Sequence, residues 1–502
     1  MLTSAAGREL SAGARAVAVL IVAAFSIQTV LVYFYIPWRL LTIPPAAVVI
    51  IGVLAVALAW FLARAKGLPL RIGPTSSWLW LFGIITLGSV LRLFWVYAFP
   101  GIQTSDYLDY WQSAERLVQS REYYSYYGDN VFRAFRPVGF PLLLAAGIWG
   151  VGPMPWLPAA INLLLFILTG IVLFVAIRQL VDSSAALFGV FLLAISPELI
   201  AQTGYASSEP LALFLYFSLF WAVVRVMEKK PVLSFLVGLL LGLATLARTE
   251  FQLLLLLFCL YFLVFGRHWR PSLMRGTLLA LGMLLVLLPW VVRNYVQLDT
   301  LLVGTTNAGI TLYQANNPLA WGGDMAPAEL GQLLDPQAFA GDEVAWNRAG
   351  ISRAMAWIAN NRARFLQLAV VKQAILFANG AVEVEWVLKG DYGYTGFWYY
   401  VTYGVGHLWW CLLWLLIGAS VFRYWRSLVA SPPFILLMTM TLYYAAIFSV
   451  LVSQPRHHVP VVGFLIVIAS LWVRRQCAPG GDVNDRSPLS PGGEQGAQGI
   501  PR

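Results

Sequence analysis

Asp106, Asp109 and Glu209 are carboxylates at the edges of long apolar runs, and Arg133, Arg136, Arg248, Arg293 and Arg456 stand at similar boundaries. A carboxylate can take a proton from an attacking hydroxyl. Guanidinium groups hold a phosphate through paired hydrogen bonds. Together these residue types suit transfer of a group from a phosphate to a hydroxyl. The apolar surroundings point to a phosphate carried by a lipid.

Asp106 needs an element to aim it. From Ser105 the residues Tyr107, Tyr110, Trp111, Ala114, Leu117 and Val118 follow the i, i+3, i+4, i+7 spacing of a helix lying on a membrane or a bundle. At about 100° per residue, Asp106 flanks this stripe and Asp109 points away from it, which ranks Asp106 first. Taken alone, Ser105-Asp106 also reads as a helix cap, and Ser208-Glu209-Pro210 as a helix start. A shared location on one face sets these groups apart from simple caps.

That location follows from composition. The 502 residues are 60% hydrophobic and 11% charged, whereas soluble chains carry about 25% charged residues. Apolar runs long enough for a ~30 Å hydrocarbon core begin near Val17, Pro44, Trp78, Trp156, Ala185, Pro210, Val232, Phe251, Met274, Trp398, Pro433 and Val459, about twelve in all. Val138–Val151 is too short to cross and reads as re-entrant or interfacial. With Arg8 and Arg15 inside, the short basic loops all fall inside: Arg64, Lys66 and Arg71; Arg178; Arg225, Lys229 and Lys230; Arg267, Arg270 and Arg275; Arg423 and Arg426; Arg474 and Arg475. Asp106, Asp109, Glu209 and the candidate arginines then face outward. These flanking cations account for the net charge of +10, so no nucleic-acid partner is needed.

The expected fold is an all-α polytopic membrane protein with two large outer loops. Its parts are a two-span extension (1–77), a core (78–296) with a first outer catalytic loop (100–137), an outer subdomain (297–397), C-terminal spans (398–475) and a disordered tail (476–502). The first run reads as an uncleaved anchor. Asp342 to Asn379 carries helical spacing and is expected to be a surface helix or helix pair. Cys259 and Cys411 lie in spans and Cys477 in the tail, so neither a disulfide framework nor a cysteine metal site is expected. His457-His458 lacks a third ligand in the pattern, which leaves a divalent metal open and no cofactor assigned.

The motifs, in order, resemble a bacterial member of the protein-mannosyltransferase-like group of GT-C integral membrane glycosyltransferases, which includes the lipid A aminoarabinose transferases. Asp106, Tyr110, Ala114 and Leu117 fit D-x-x-x-Y-x-x-x-A-x-x-L, and Arg136 to Ala145 fit R-P-x-G-[YF]-P-L-L-L-A. Ser208-Glu209-Pro210-Leu211, Pro289-Trp290 with Arg293-Asn294-Tyr295, Thr306-Asn307-Ala308-Gly309 and Asn316-Asn317-Pro318 follow. The pattern departs at Arg248-Thr249, where Arg-Pro is common, and at Arg456-His457-His458-Val459-Pro460, which replaces R-Y-R-x-P.

The resemblance implies a GT-C fold of about twelve spans in the inner membrane, with the site facing the periplasm or exterior. It implies inverting transfer from a polyprenyl-phosphate sugar to a hydroxyl of an envelope protein, lipid or glycan. Asp106 is the candidate base, with Asp109 second. Arg136, Arg248, Arg293 and Arg456 are candidates for the donor phosphate, and Glu209, Asn307 and Asn317 for positioning an acceptor or metal. A transporter or flippase of a lipid-linked glycan is one rival reading; a lipid-linked glycan polymerase or ligase, which would also use outer arginines but would not need the Asp106 pattern, is another. Carriers show paired halves and midplane polar sites, whereas this chain shows no duplication and gathers its polar groups on one face.

Overall fold

The computed structural model describes residues 11–40, 45–64, 76–127 and 129–473. Arg8, Lys66, Arg71, Arg474, Arg475, Cys477 and the expected tail 476–502 lie outside the described residues. The chain is helical, in the order α1 (Ala12–Leu40), α2 (Pro45–Arg64), α3 (Ser76–Ala98), α4 (Ser105–Gln119), α5 (Gly139–Val151), α6 (Leu157–Leu180), α7 (Ser183–Ala194), α8 (Pro197–Ala201), α9 (Glu209–Met227) and α10 (Ser234–Ala247). It continues through α11 (Leu254–Phe265), α12 (Trp269–Leu298), α13 (Ala308–Ala315), α14 (Pro327–Leu333), α15 (Glu343–Asn360), α16 (Arg362–Ala378), α17 (Val382–Glu385), α18 (Phe397–Val429), α19 (Pro432–Val450) and α20 (Val462–Ser470). One antiparallel hairpin, β1 (Ser125–Tyr127) and β2 (Asn130–Phe132), pairs Tyr126 with Val131.

Among the described residues, 8 helices are long and apolar enough to cross a membrane, or up to 10 if two bent pairs each count as one span. The sequence predicts about twelve spans; the remaining apolar helices, Val49–Arg64, Gly139–Val151, Pro231–Ala247 and Thr249–Phe265, are shorter. The runs beginning at Val232 and Phe251 form α10 and α11, which with their lead-in turns remain short apolar helices. Arg248 caps α10 in extended conformation, and a 3-10 turn over Thr249–Leu253 separates the two helices. The run from Ala185 bends by 51° between α7 and α8. In the expected surface region, α16 and α17 make the second bent pair, at 72°. The segment 297–397 is thus built of helices, as its spacing suggests over Asp342 to Asn379, and its end packs into the bundle core through Leu376, Phe377 and Val384.

The short α5 stays at one end of the bundle. A Cβ on Gly139 would come within 2.6 Å of the Ala247 nitrogen, so glycine is what lets α5 abut α10 there. Gly147 meets the Leu157 side chain at the start of α6, so the far end of α5 turns straight back into the bundle. Small residues also permit α10 to pack on α12, where a Cβ on Gly238 or Gly282 would strike the Leu279 or Phe235 carbonyl. Every residue of α20 is buried, as its apolar character on all sides requires.

Two buried cations hold helix ends. Arg92 in α3 donates through Nη1 to the Ala194 carbonyl at 3.0 Å and through Nη2 to Leu193 at 3.4 Å, the last carbonyls of α7. Lys372 in α16 donates to Val450 at 3.1 Å and Ser449 at 3.3 Å, at the end of α19. Terminal carbonyls have no partner within their helix and attract positive charge. Both cations thus fix the ends of broken or adjoining helices.

Outside the bundle, Phe132 and Phe135 from the first outer segment pack with Ile310, Tyr313, Leu330 and Trp346 from the second. Each buried aromatic or aliphatic side chain contributes about 1.5–3 kcal/mol. This small core ties the two outer segments together over the bundle end.

Candidate active site

Asp106 lies in the first turn of α4, which Ser105 enters with φ of 49°. A left-handed non-glycine residue is uncommon and strained. Tyr107, Tyr110 and Ala114, buried along the adjoining face, hold the helix in place. Tyr110 meets Phe140 of α5 edge-on at 5.6 Å between centroids. The stripe read from the sequence is therefore what anchors α4.

The Asp106 carboxylate is held between two guanidinium groups. Oδ1 accepts from Arg136 Nη2 at 2.5 Å, and Oδ2 accepts from Arg456 Nη2 at 2.6 Å. Asp109 Oδ2 accepts from Arg136 Nε at 3.2 Å. Asp109 does not point away from the site as helical phasing suggested. It stands about 60° around the helix from Asp106, and the site lies beside the buried stripe, where both carboxylates reach one arginine.

The network continues through the ends of other helices. Arg456 Nε is 3.9 Å from Glu209 Oε1, and Arg248 Nη1 is 3.5 Å from the same oxygen. Arg248 Nε reaches Glu250 at 2.6 Å. Glu209 opens α9 and takes a hydrogen bond from the Ser207 hydroxyl at 2.6 Å. Arg248 ends α10, and Arg456 lies in a 3-10 turn leading into α20. The starts of α4 and α9 and the ends of α10 and α19 meet here, so one end of the bundle carries three arginines alternating with four carboxylates.

These groups line a cavity of about 970 Å³. One wall is the ionic network. A second is polar, with Asn307, Gln314, Asp324 and Gln454, and a third is apolar, including Leu253, Ala446, Ile447, Val450 and Leu451. Gln454 donates to Asp324 at 3.0 Å and accepts from Arg456 Nε at 2.8 Å, so it joins the polar wall to the ionic one. Gln314 also donates to Asp324.

The two α4 carboxylates are tuned in opposite directions. Burial alone would raise the Asp106 carboxyl, but the charges of Arg136 and Arg456 outweigh it and hold Asp106 below the usual carboxylate range. Asp109 is raised, because burial outweighs the pull of Arg136. Asp324 is raised as well, by burial and then by the nearby Asp106 charge. Asp106 is therefore the most firmly ionised of the three and, in this arrangement, the weakest proton acceptor.

Of the residues read from the sequence, Asp106, Asp109, Arg136, Glu209, Arg248, Asn307 and Arg456 line the cavity. Arg293 does not. Its guanidinium donates to the carbonyls of Arg133 and Tyr123, each at 2.6 Å. Asn317 is buried beside the cavity, donating to Tyr313 O at 2.9 Å and accepting from the Leu319 amide at 2.7 Å. His457 faces the cavity, whereas His458 turns into the core, with Nε2 2.8 Å from Glu198 and its ring stacked on Trp410. Among the described residues no three His, Cys, Asp or Glu side chains gather as a metal-binding group. The cavity carboxylates Asp106, Asp109, Glu209 and Glu250 each face an arginine instead.

Glu250, Gln314, Asp324 and Gln454 also line the cavity and belong to none of the sequence motifs. Gln454 stands two positions before Arg456 and could have been suspected for that reason. Asp324, in an irregular stretch after Gly322-Gly323, carries no local signal.

Comparison with known proteins adds three structural likenesses. The chain is similar to the archaeal oligosaccharyltransferase AglB from Archaeoglobus fulgidus, in complex with an inhibitory peptide and a dolichol-phosphate, at 15% identity and TM-score 0.45, over 78% of this chain and 50% of that one. It spans about half the length of that relative. It is also similar to ArnT from Cupriavidus metallidurans bound to undecaprenyl phosphate, at 12% identity and TM-score 0.39, covering 79% of this chain and 77% of that one. The arabinosyltransferase EmbB from Mycobacterium smegmatis gives 13% identity and TM-score 0.29, over 86% and 45%. No curated protein matches the sequence. Residues 137–293, which contain Glu209 and Arg248 and end at Arg293, match the dolichyl-phosphate-mannose-protein mannosyltransferase family, so the resemblance carried by the motifs is borne out over that segment.

Proposed function

We propose that the protein is an integral membrane glycosyltransferase that moves a sugar from a polyprenyl-phosphate donor to a hydroxyl of an envelope protein, lipid or glycan on the outer side of the inner membrane. The observation that carries this reading is Asp106 between Arg136 and Arg456 in a cavity with an apolar third wall. The family match over residues 137–293 supports a donor of this class.

In the proposed step the donor phosphate takes the guanidinium groups of Arg136 and Arg456, with Arg248 beside them. The prenyl chain lies along Leu253, Ala446 and Ile447. As the arginines turn to the phosphate, their hold on Asp106 weakens and its proton affinity rises toward that of an ordinary carboxylate. The acceptor oxygen attacks the anomeric carbon, the bond from that carbon to the phosphate oxygen breaks, and the hydroxyl proton passes to Asp106. A single displacement inverts the anomeric centre, and polyprenyl phosphate leaves on the arginines. Glu209 and Asn307 are assigned to acceptor positioning, and Glu209 also keeps Arg248 and Arg456 in place.

The outward orientation rests on the basic loops, which sit at the opposite helix ends from the cavity. Mass spectrometry of surface glycans from cells with the gene, without it, and with only the Asp106→Asn form tests the reading. Loss of one sugar residue, restored by wild type and not by the variant, is expected and would identify sugar and acceptor together. Restoration by the variant would overturn it. Accumulation of a complete, untransferred glycan would instead favour a flippase or a ligase.

A further inference from the structure

We infer that Glu343 is a positioning residue for Arg136, acting from the second outer segment on the first; this rests on the phosphate role given to Arg136 above. Glu343 is the first residue of α15 and is only 3% exposed. Its partners are the chain that leads to Arg136. Oε1 accepts from the Arg133 amide at 2.6 Å, and Oε2 accepts from the Ala134 amide at 3.2 Å and the Thr306 hydroxyl at 2.5 Å.

The same short stretch is held from its other side. The Thr306 amide donates to the Ala134 carbonyl at 2.9 Å. Arg293 donates to the Arg133 carbonyl and, through its other nitrogen, to the Tyr123 carbonyl. The Tyr123 hydroxyl donates to the Arg136 carbonyl at 2.9 Å. Backbone groups of residues 133, 134 and 136 are thus taken by Glu343, Thr306, Arg293 and Tyr123. Irregular buried backbone needs such partners to persist, and a carboxylate accepting amide hydrogens gives the stronger, charge-assisted kind of bond. The placement of the Arg136 guanidinium against Asp106, two residues further on, is set by this clamp.

The test is a double-substitution cycle on the full-length protein in nanodiscs, with undecaprenyl phosphate as probe and binding followed by native mass spectrometry. Glu343→Gln keeps the shape but turns an amide group toward an N–H donor. It is expected to weaken binding about tenfold, the loss of roughly one charged hydrogen bond's worth of placement. Arg136→Met is expected to weaken it at least as much. The double variant should bind no worse than Arg136→Met alone, and amide exchange over residues 133–136 should quicken in Glu343→Gln. Thr306→Val, which leaves the carboxylate in place, should show the same loss in smaller measure. Equal, additive losses in the two backgrounds, or unchanged binding and exchange in Glu343→Gln, would overturn the inference. If Arg136→Met alone left binding unchanged, the phosphate role of Arg136 would fall instead, while amide exchange would still decide whether Glu343 holds the segment.

Discussion

Asp106 and Arg456 meet at 2.6 Å although 350 residues separate them in the chain. The contact joins the first outer segment to the last span, and Arg136 closes the carboxylate from the other side. Two cations on one carboxylate keep it charged and aimed, at the expense of its basicity until something draws the cations off.

Asp106→Asn keeps the size of the side chain and one acceptor oxygen. Transfer should fall about 10²–10⁴-fold, the usual contribution of a general base, while the protein still reaches the membrane at normal level. Single-turnover transfer with purified wild type and variant measures this, and retained turnover would remove Asp106 from the chemistry.

Arg248 is 12% exposed and bridges Glu209 and Glu250. Removing a buried charged partner strands the groups it leaves, typically by about 3–5 kcal/mol. Arg248→Met should therefore lower the thermal midpoint in detergent strongly, and Arg248→Lys should recover part of it. A methionine variant as stable as wild type would show that the two glutamates are solvated or protonated without it.

Arg293 donates to two backbone carbonyls and does not line the cavity. Arg293→Met should mainly cost stability, by about 1.5–3 kcal/mol for each charged hydrogen bond lost. Arg136→Met should mainly cost donor affinity. Comparing melting and polyprenyl-phosphate binding for the two variants separates these effects; identical profiles would contradict the division.

Acidity should distinguish the two α4 carboxylates. Asp106 has a folded pKa below its unfolded value, about 3.9, so its stabilisation is present above that value and is lost as pH falls through the folded one. Asp109 is shifted upward, so its contribution is greatest below the unfolded value and is lost as pH rises through the folded one. Asp106→Asn should thus destabilise at pH 7 and matter less near pH 3, whereas Asp109→Asn should be neutral or stabilising at pH 7. Melting curves across this range give the signs directly.

Gly139→Ala would drive a methyl group into the backbone at Leu246 and Ala247. Overpacking of this kind costs about 1–3 kcal/mol. Because Arg136 and Arg248 lie next to this contact, transfer should fall more than melting alone accounts for. Unchanged kinetics would mean that α5 yields without moving either arginine.

Much of this site can be read from the sequence because its residues sit at helix ends that the apolar runs delimit. Glu209, Arg248 and Arg456 are of this kind, and the stripe of Tyr107, Tyr110 and Ala114 predicts the face by which α4 is held. The span count is less legible, since length alone does not reveal that the run from Ala185 bends between α7 and α8, or that α16 turns sharply into α17. Asp324 and Glu343 escape local reading altogether. Their roles come from where irregular outer segments cross, and no periodicity encodes such a crossing. Arg293 stands at such a boundary too, yet its guanidinium turns to the carbonyls of Arg133 and Tyr123, because position at a helix end does not say which way a guanidinium turns.

The alternation of arginines and carboxylates has a consequence for what can enter. A dissolved phosphate must compete with carboxylates already fixed at contact distance, and at ordinary concentrations it is a poor competitor. An anion tethered in the bilayer is confined to the neighbourhood of the cavity, and such confinement raises its effective concentration far above that of a free ion. The resting ion pairs would then act as a filter, deaf to soluble phosphates and nucleotides and responsive to a headgroup delivered with its own anchor.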